Sequence, residues 1–270
     1  MNGGNVNGAS VASCQCTKTE EVEPDNSRSP APADESLTRR SLLRYTAVLA
    51  FTAGFVNAAA LLMLAFPVGN LTGVTTQLGM TTAHPWRYEE HMLVAILLGF
   101  FAGAFVAGAL LGMPKSATGT RHAVVLTSEA VLLLLAATGL EHSALRSFLS
   151  TIGVEQTTLP ALFAAAALGL QNGLTSSIRQ IAVRTTHFTG TVTDLGLMLG
   201  RARRHGLEKW KAAILLATLL LFLAGGATGL VTAVRFGGHA LALPAAICLT
   251  VAGMQVARGR TLTTRDSSCI

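Results

Sequence analysis

The residues that could do chemistry in this chain are few. They are a carboxylate at Glu129, an Asp–His pair at Asp194 and His187, two Asn residues at 57 and 172, and two short runs of Thr and Gly. Glu129 lies two residues from the centre of the apolar run His122 to Leu140, so about 3 Å from the midplane of a helix that crosses there. A carboxylate at that depth is strongly destabilised if it is ionised and unpaired, so it must be neutral, paired or facing a wet cavity. Two uses follow: binding a proton or cation, or hydrogen-bonding between helices as the neutral acid. Asp194 and His187 are seven residues apart, which places them on one face if the stretch is helical. They could relay a proton, bind a cation, or pair with Arg179 or Arg184; for the two Arg residues a structural ion pair is the simpler role.

The two Thr-Gly runs belong to a repeat. Residues 54–79 read GFVNAAALLMLAFPVGNLTGVTTQLG, and the stretch from Gly169 to Arg201 contains GLQNGLTSSIRQIAVRTTHFTGTVTDLGLMLGR. Gly54 and Asn57 match Gly169 and Asn172 at an offset of 115. Thr72, Gly73, Thr76, Leu78 and Gly79 match Thr189, Gly190, Thr193, Leu195 and Gly196 at an offset of 117. Weaker matches follow between LLGFFAGA at 97–104 and LLLFLAGG at 219–226, and between His122-Ala123 and His239-Ala240.

Each run, Asn70 to Gly79 and His187 to Gly196, is too polar for a lipid-facing helix and too apolar for an ordinary loop. Gly73 and Gly190 permit a break in the backbone, and the Thr residues can cap a short helix. Gln77 and Asp194 hold the same place in the two runs. Irregular backbone at membrane depth must be covered by protein or line a cavity. The sequence therefore predicts two short helices whose N-terminal dipoles point at a shared site; interfacial helices with plain Thr-Gly caps are the alternative. The candidate substrate- or ion-binding residues are Asn57, Asn70, Thr72, Thr76, Gln77, Glu129, Asn172, His187, Thr189, Thr193 and Asp194. For Asn57, Asn172 and the neighbouring Gln171, hydrogen bonding between helices competes with contact to a substrate.

The elements that must position these residues are membrane spans. Half of the 270 residues are hydrophobic and 13% are charged, against about 25% charged in soluble domains. Apolar runs long enough to cross a bilayer fall at about 42–66, 92–113, 122–140, 159–178, 211–233 and 239–257. The fold class is thus all-α: a bundle of about six transmembrane helices, with short broken or re-entrant helices after spans 1 and 4. Residues 1–41 read as a disordered tail, 42–257 as the membrane domain with repeats at 42–140 and 159–257, and 258–270 as a second tail. Three spans per half reverse direction, so the repeat is of inverted topology.

Basic residues set the orientation. With the N-terminus inside, seventeen of the twenty Lys and Arg lie on the cytoplasmic side, leaving Arg87, Arg146 and Arg235 outside. The expectation is a multi-pass protein of the cell (inner) membrane with both termini cytoplasmic. The net charge of +6 is explained by this bias, and no basic stripe with interleaved aromatics points to nucleic acid. Cys14, Cys16, Cys248 and Cys269 fit neither a zinc site nor a disulfide framework. Gly99, Gly103 and Ala107, and Gly225 with Gly229, form small-residue faces. Their simplest use is packing within one chain, and a homo-oligomer contact is the alternative.

The segments GFVNA, NLTGVTTQLG and LQN…VRTTHFTGTVTDL resemble the YoaK-like family of uncharacterised bacterial integral membrane proteins over roughly residues 42 to 257. The resemblance implies about six spans and no assigned reaction. Many members carry Asp where this chain has Asn57, and His-x-Thr-Gly-Asn where it has Asn70 to Val74. If an acidic group or His in the first half serves coupling in those proteins, this chain has either lost it or moved the task to Glu129.

Three functions are open to such a chain. The favoured one is a secondary transporter or permease for a small polar solute or ion, with a site at the repeat interface. Its partners are the bilayer and that solute. The runner-up is a non-transporting sensor, lipid-binding or assembly protein. An intramembrane enzyme is disfavoured by the lack of HExxH and Gly-x-Ser-x-Gly motifs, and no Walker motif supports ATP-driven pumping. No cofactor or metal is expected.

Overall fold

The computed structural model describes residues 32–81, 90–112, 118–141, 156–178 and 185–266. Most of the predicted N-terminal tail, with Cys14 and Cys16, lies outside the described residues. So do the loops carrying Arg87, Lys115, Arg146, Arg179 and Arg184, and the chain end with Cys269. Two units are present, Met1–Thr38 and Arg39–Ile270, and every site discussed below belongs to the second.

Among the described residues every regular element is helical: α1 Pro32–Leu64, α2 Leu71–Thr81, α3 Glu90–Leu111, α4 Thr118–Glu141, α5 Thr158–Ser176, α6 Phe188–His205, α7 Lys209–Phe236, a 3-10 turn Gly237–Leu241, and α8 Ala242–Asp266. α1 begins at Pro32 rather than at Leu42. Pro suits the first helical position and good helix formers follow it, so the helix starts before the apolar run does. α8 likewise continues past residue 258 to Asp266.

Among the described residues, four stretches are long and apolar enough to cross a membrane: Arg40–Leu64, Glu90–Leu111, Gly119–Glu141 and Lys209–Ala257. The 22 residues of α3 give about 33 Å of helix, against a hydrocarbon core of roughly 30 Å. By length and composition this is an integral membrane protein. Phe101 and Phe105 on α3 are 69% and 68% exposed, an apolar face that suits lipid rather than water. The 49 residues of Lys209–Ala257 would extend about 74 Å if straight, far more than one crossing needs. Gly237 breaks them at φ 56°, where Glu141 at the end of α4 accepts the Gly238 N–H and lies 3.7 Å from His239.

α5 is the exception to the six apolar runs, since it is not among the four candidate spans. It carries Gln171 and Asn172, both buried, and is lined by buried Ala161, Ala164, Ala165, Ala167 and Leu168. α3 and α4 pack along it, so protein rather than lipid surrounds its polar positions.

Two pairs of very close backbone approaches fix this packing. On α1 and α7, a Cβ added to Gly54 would overlap the Phe222 carbonyl, and one added to Gly225 would overlap the Phe51 carbonyl. On α5 and α3, Gly169 stands in the same way against the Phe100 carbonyl, and Gly103 against the Ala166 carbonyl. Only glycine lets the helices approach this closely.

Candidate functional site

α1 ends at Leu64, and the next residue, Ala65, takes φ 61° in the left-handed position that usually follows a helix. Pro67 then prevents the helix from resuming, and the chain turns through Val68 and Gly69 into α2. Asn70 caps α2: its Oδ1 accepts the Gly73 N–H at 3.2 Å. In the second half the corresponding turn is Thr185, Thr186 and His187, and α6 starts at Phe188. His187 occupies the place of Asn70 but makes no side-chain cap; its ring lies over Gly190.

Both turns are tied down by the matched Asn residues. Asn57 Oδ1 accepts the Gly69 N–H at 2.8 Å. Asn172 Oδ1 accepts the Thr186 N–H at 3.4 Å, and its Nδ2 donates to Thr186 Oγ1 at 2.8 Å and to the Leu168 carbonyl at 3.0 Å. Gln171 Nε2 donates to the Leu49 carbonyl and to Thr185 Oγ1, joining α5 to α1 and to the second turn. These three amides therefore act on backbone and hydroxyl groups of the fold itself.

The two turns meet. A Cβ on Gly69 would stand 3.2 Å from Thr186 Cγ2, and residues 69 and 186 are related by the offset of 117. Around this point lies a cavity of about 460 Å³, bounded by Gly69, Asn70, Leu71 and Thr72 from the first half. Asn172, Thr186, His187, Phe188 and Thr189 bound it from the second, with Phe100 and Ala104 of α3 between them. Its size falls in the usual range for small-molecule sites, roughly 300–1,000 Å³. The first turns of α2 and α6 both line it, so two helix N-termini share one space.

Of the sequence-predicted residues, Asn70, Thr72, Asn172, His187 and Thr189 come together at this cavity. Asn57 stands behind its wall, holding Gly69. Thr76 and Thr193 are exposed on α2 and α6 and donate back to the Thr72 and Thr189 carbonyls, each at 2.8 Å. Gln77 is half-buried, and its Oε1 has no hydrogen-bond partner among the described residues. Asp194 is exposed and lines a different cavity of about 400 Å³ with Arg201, Glu208 and Lys211, so His187 and Asp194 serve separate spaces. Glu129 lies in neither: it is fully buried on α4, beside Cys248 of α8 and within electrostatic reach of Tyr45 of α1.

Sequence reasoning missed Gly69 and Thr186 as cavity residues, and likewise Leu71, Phe188, Phe100, Ala104, Gly173 and Ser176. The first two immediately precede the matched motif and obey its offset, so extending the repeat by a few residues would have found them. Phe100 and Ala104 carry no polar signal, and only the fold brings them to the site. No grouping of His, Cys, Asp and Glu able to hold a metal ion occurs among the described residues.

No curated protein and no solved structure matches this chain. Residues 45–254, which contain both turns, the cavity and Glu129, match the family described as protein of unknown function (DUF1275), and the chain belongs to that family.

Proposed function

We propose that this protein is a secondary transporter or permease for a small polar solute or ion, and that the cavity between α2 and α6 is its binding site. The observation that carries the proposal is the sharing of one 460 Å³ cavity by two helix N-termini. Each N-terminus presents unpaired backbone N–H groups and about half a positive charge. Thr72, Thr189 and His187 add side-chain donors. The space suits a solute that presents oxygen acceptors or negative charge.

The proposal includes six spans arranged as a 3+3 inverted repeat, with α5 as the fourth span and Lys209–Ala257 supplying two. Several contacts support it because they are related by offsets read from the sequence. The Gly54–Phe222 approach corresponds to Gly169–Phe100, and Gly225–Phe51 to Gly103–Ala166. Asn57 holding the Gly69 N–H corresponds to Asn172 holding the Thr186 N–H. Gly69 against Thr186 is a residue touching its own counterpart, an arrangement expected at a twofold axis. Under this reading the cavity lies on the axis at mid-depth, where inverted-repeat transporters bind their solutes. The proposal also retains the inner membrane, cytoplasmic termini and the narrower YoaK-like resemblance.

The test is accessibility of Thr72→Cys and Thr189→Cys to a small membrane-impermeant thiol reagent, in a background free of Cys14, Cys16, Cys248 and Cys269. Labelling of both positions, with access from both faces of the membrane, is the expected result. If neither reacts, or each reacts only from one fixed face, the cavity is no pathway and the transport reading fails.

A further inference from the structure

Away from the cavity, a second group of polar side chains is buried between α1, α4 and α8. Glu129 is 0% exposed, and neither carboxylate oxygen has a hydrogen-bond partner of ordinary geometry among the described residues. Cys248, also 0% exposed, sets its thiol, a weak donor, against that carboxylate. The Tyr45 hydroxyl is buried near both and is equally without a partner. Tyr45 packs against the apolar cluster of Leu49, Leu126, Leu170, Leu174 and Val251, and Cys248 belongs to the adjoining apolar core.

No cation faces this carboxylate among the described residues. The opposing side chain from α1 is Tyr45, the one from α8 is Cys248, and α5 has no charged or titratable residue. The nearest positive charge along α4 is Arg121, whose Nη1 donates to the Leu111 carbonyl at 3.1 Å. Glu90 and His91 stand at the opposite end of α3 from Leu111, and His239 is engaged with Glu141. An unpaired ionised carboxylate in such a place is strongly disfavoured.

An entry route is built beside it. His122 precedes Glu129 by seven residues, about 10 Å along α4 on the same face. Its ring stacks on Tyr45 at 6.3 Å and 17°. His122 is only half-buried, at the Arg121 end of the helix. The line His122, Tyr45, Glu129 thus runs from a helix end to the buried acid.

We infer that Glu129 is a proton-carrying site loaded through Tyr45 from the His122 end of α4. Among the described residues neither group has a hydrogen-bond partner of ordinary geometry, so unloading begins with side-chain rotation that brings the Glu129 O–H against the Tyr45 oxygen. That O–H bond then breaks, the Tyr45 oxygen takes the proton, and the phenol releases its own toward the His122 end. Loading is the reverse, and no electrons are transferred. The position that matches Glu129 at offset 117 is Ala246, so the acid belongs to one half only. Its use for coupling rests on the proposed transport function, whereas the proton site itself does not.

The test is infrared spectroscopy of the purified full chain in lipid vesicles, which needs no solute. At neutral pH a protonated-carboxyl stretch is expected, shifting in deuterated water and absent in Glu129→Gln. Tyr45→Phe is expected to keep the band but slow its deuterium exchange at least several-fold, with Thr127→Ala, on the exposed face, as control. Melting curves confirm that each variant is folded. Absence of the band from the parent protein, or its persistence in Glu129→Gln, overturns the site. Unchanged exchange in Tyr45→Phe overturns the route. A band that behaves as expected while Thr72→Cys and Thr189→Cys show no pathway leaves the proton site standing and removes the transport reading alone.

Discussion

The paired glycine contacts give the sharpest quantitative test of the architecture. In Gly54→Ala the new Cβ would lie 2.8 Å from the Phe222 carbonyl carbon and 3.0 Å from its Cα, besides overlapping the oxygen. In Gly169→Ala the distances to the matching atoms of Phe100 are 2.9 and 3.0 Å. Carbon atoms pack at about 3.5–4.0 Å and the overlapped oxygen lies closer still, so each helix pair must separate by roughly 1 Å or more. The obstacle is backbone, which has no alternative rotamer. Overpacking of this kind destabilises by about 1–3 kcal/mol, while Ala recovers about 0.8–1 kcal/mol of helix propensity over Gly.

Gly196→Ala and Gly200→Ala on α6 meet nothing within 4 Å and isolate the propensity term. The difference between core and control variants is therefore the overpacking term alone, about 1–3 kcal/mol, and it should be similar for Gly54 and Gly169. The assay is reversible unfolding in mixed micelles, followed by the midpoint in denaturing detergent. Core variants as stable as the controls would refute the close approaches. A large loss at one glycine and none at the other would refute their equivalence, and with it the inverted repeat.

Two further predictions use the same assay. Asn172→Ala should destabilise more than Asn57→Ala, because Asn172 bonds the Leu168 carbonyl, Thr185 and Thr186 whereas Asn57 holds the Gly69 N–H. Each buried group left unsatisfied costs about 1–3 kcal/mol, so two neutral variants would show that the turns are not held this way. Ala65→Gly should raise the midpoint, since a left-handed Ala carries about 1–2 kcal/mol of strain that glycine lacks; a lowered midpoint would show that Ala65 does not hold that conformation.

Much of the site was legible because its signal was polar and repeated. Helices starting one residue before Thr72 and Thr189 followed from the TG motifs read against apolar surroundings, but only α2 is short: α6 continues past Gly196 to His205, 18 residues in all. The roles of Asn57 and Asn172 did not follow. Depth in a span says that an amide needs a partner, but the choice between solute and backbone depends on where Gly69 and Thr186 fall, which the turns decide. His187 and Asp194 look paired on a helical wheel. His187, however, is the residue before the helix, with φ −98° and ψ 64°, so the spacing rule does not reach it. Glu129 was visible as a misplaced charge, whereas Tyr45 and Cys248 were not, because burial of a hydroxyl or thiol beside a carboxylate leaves no mark on composition.

Under the proposed repeat, the scaffold around the cavity matches across the two halves more closely than its chemistry does. Backbone contacts, glycines and tethering amides match across the two halves, and so do Thr72 and Thr189. The other side chains do not: at the cavity Asn70 corresponds to His187 and Leu71 to Phe188, and away from it Gln77 corresponds to Asp194 and Glu129 to Ala246. If the protein transports as proposed, a symmetric frame would let the two halves exchange conformations at similar free energy, and the differences at these four pairs would bias which conformation is preferred. If that is so, His187→Asn, which restores the match to Asn70 and supplies the cap that α6 lacks, should stabilise α6 by about 0.5–2 kcal/mol. It should also weaken solute binding at the cavity, because the new side chain satisfies an N–H group that the solute would otherwise meet. Stabilisation with unchanged binding would show that the α6 N-terminus is structural, and that recognition lies with the threonines.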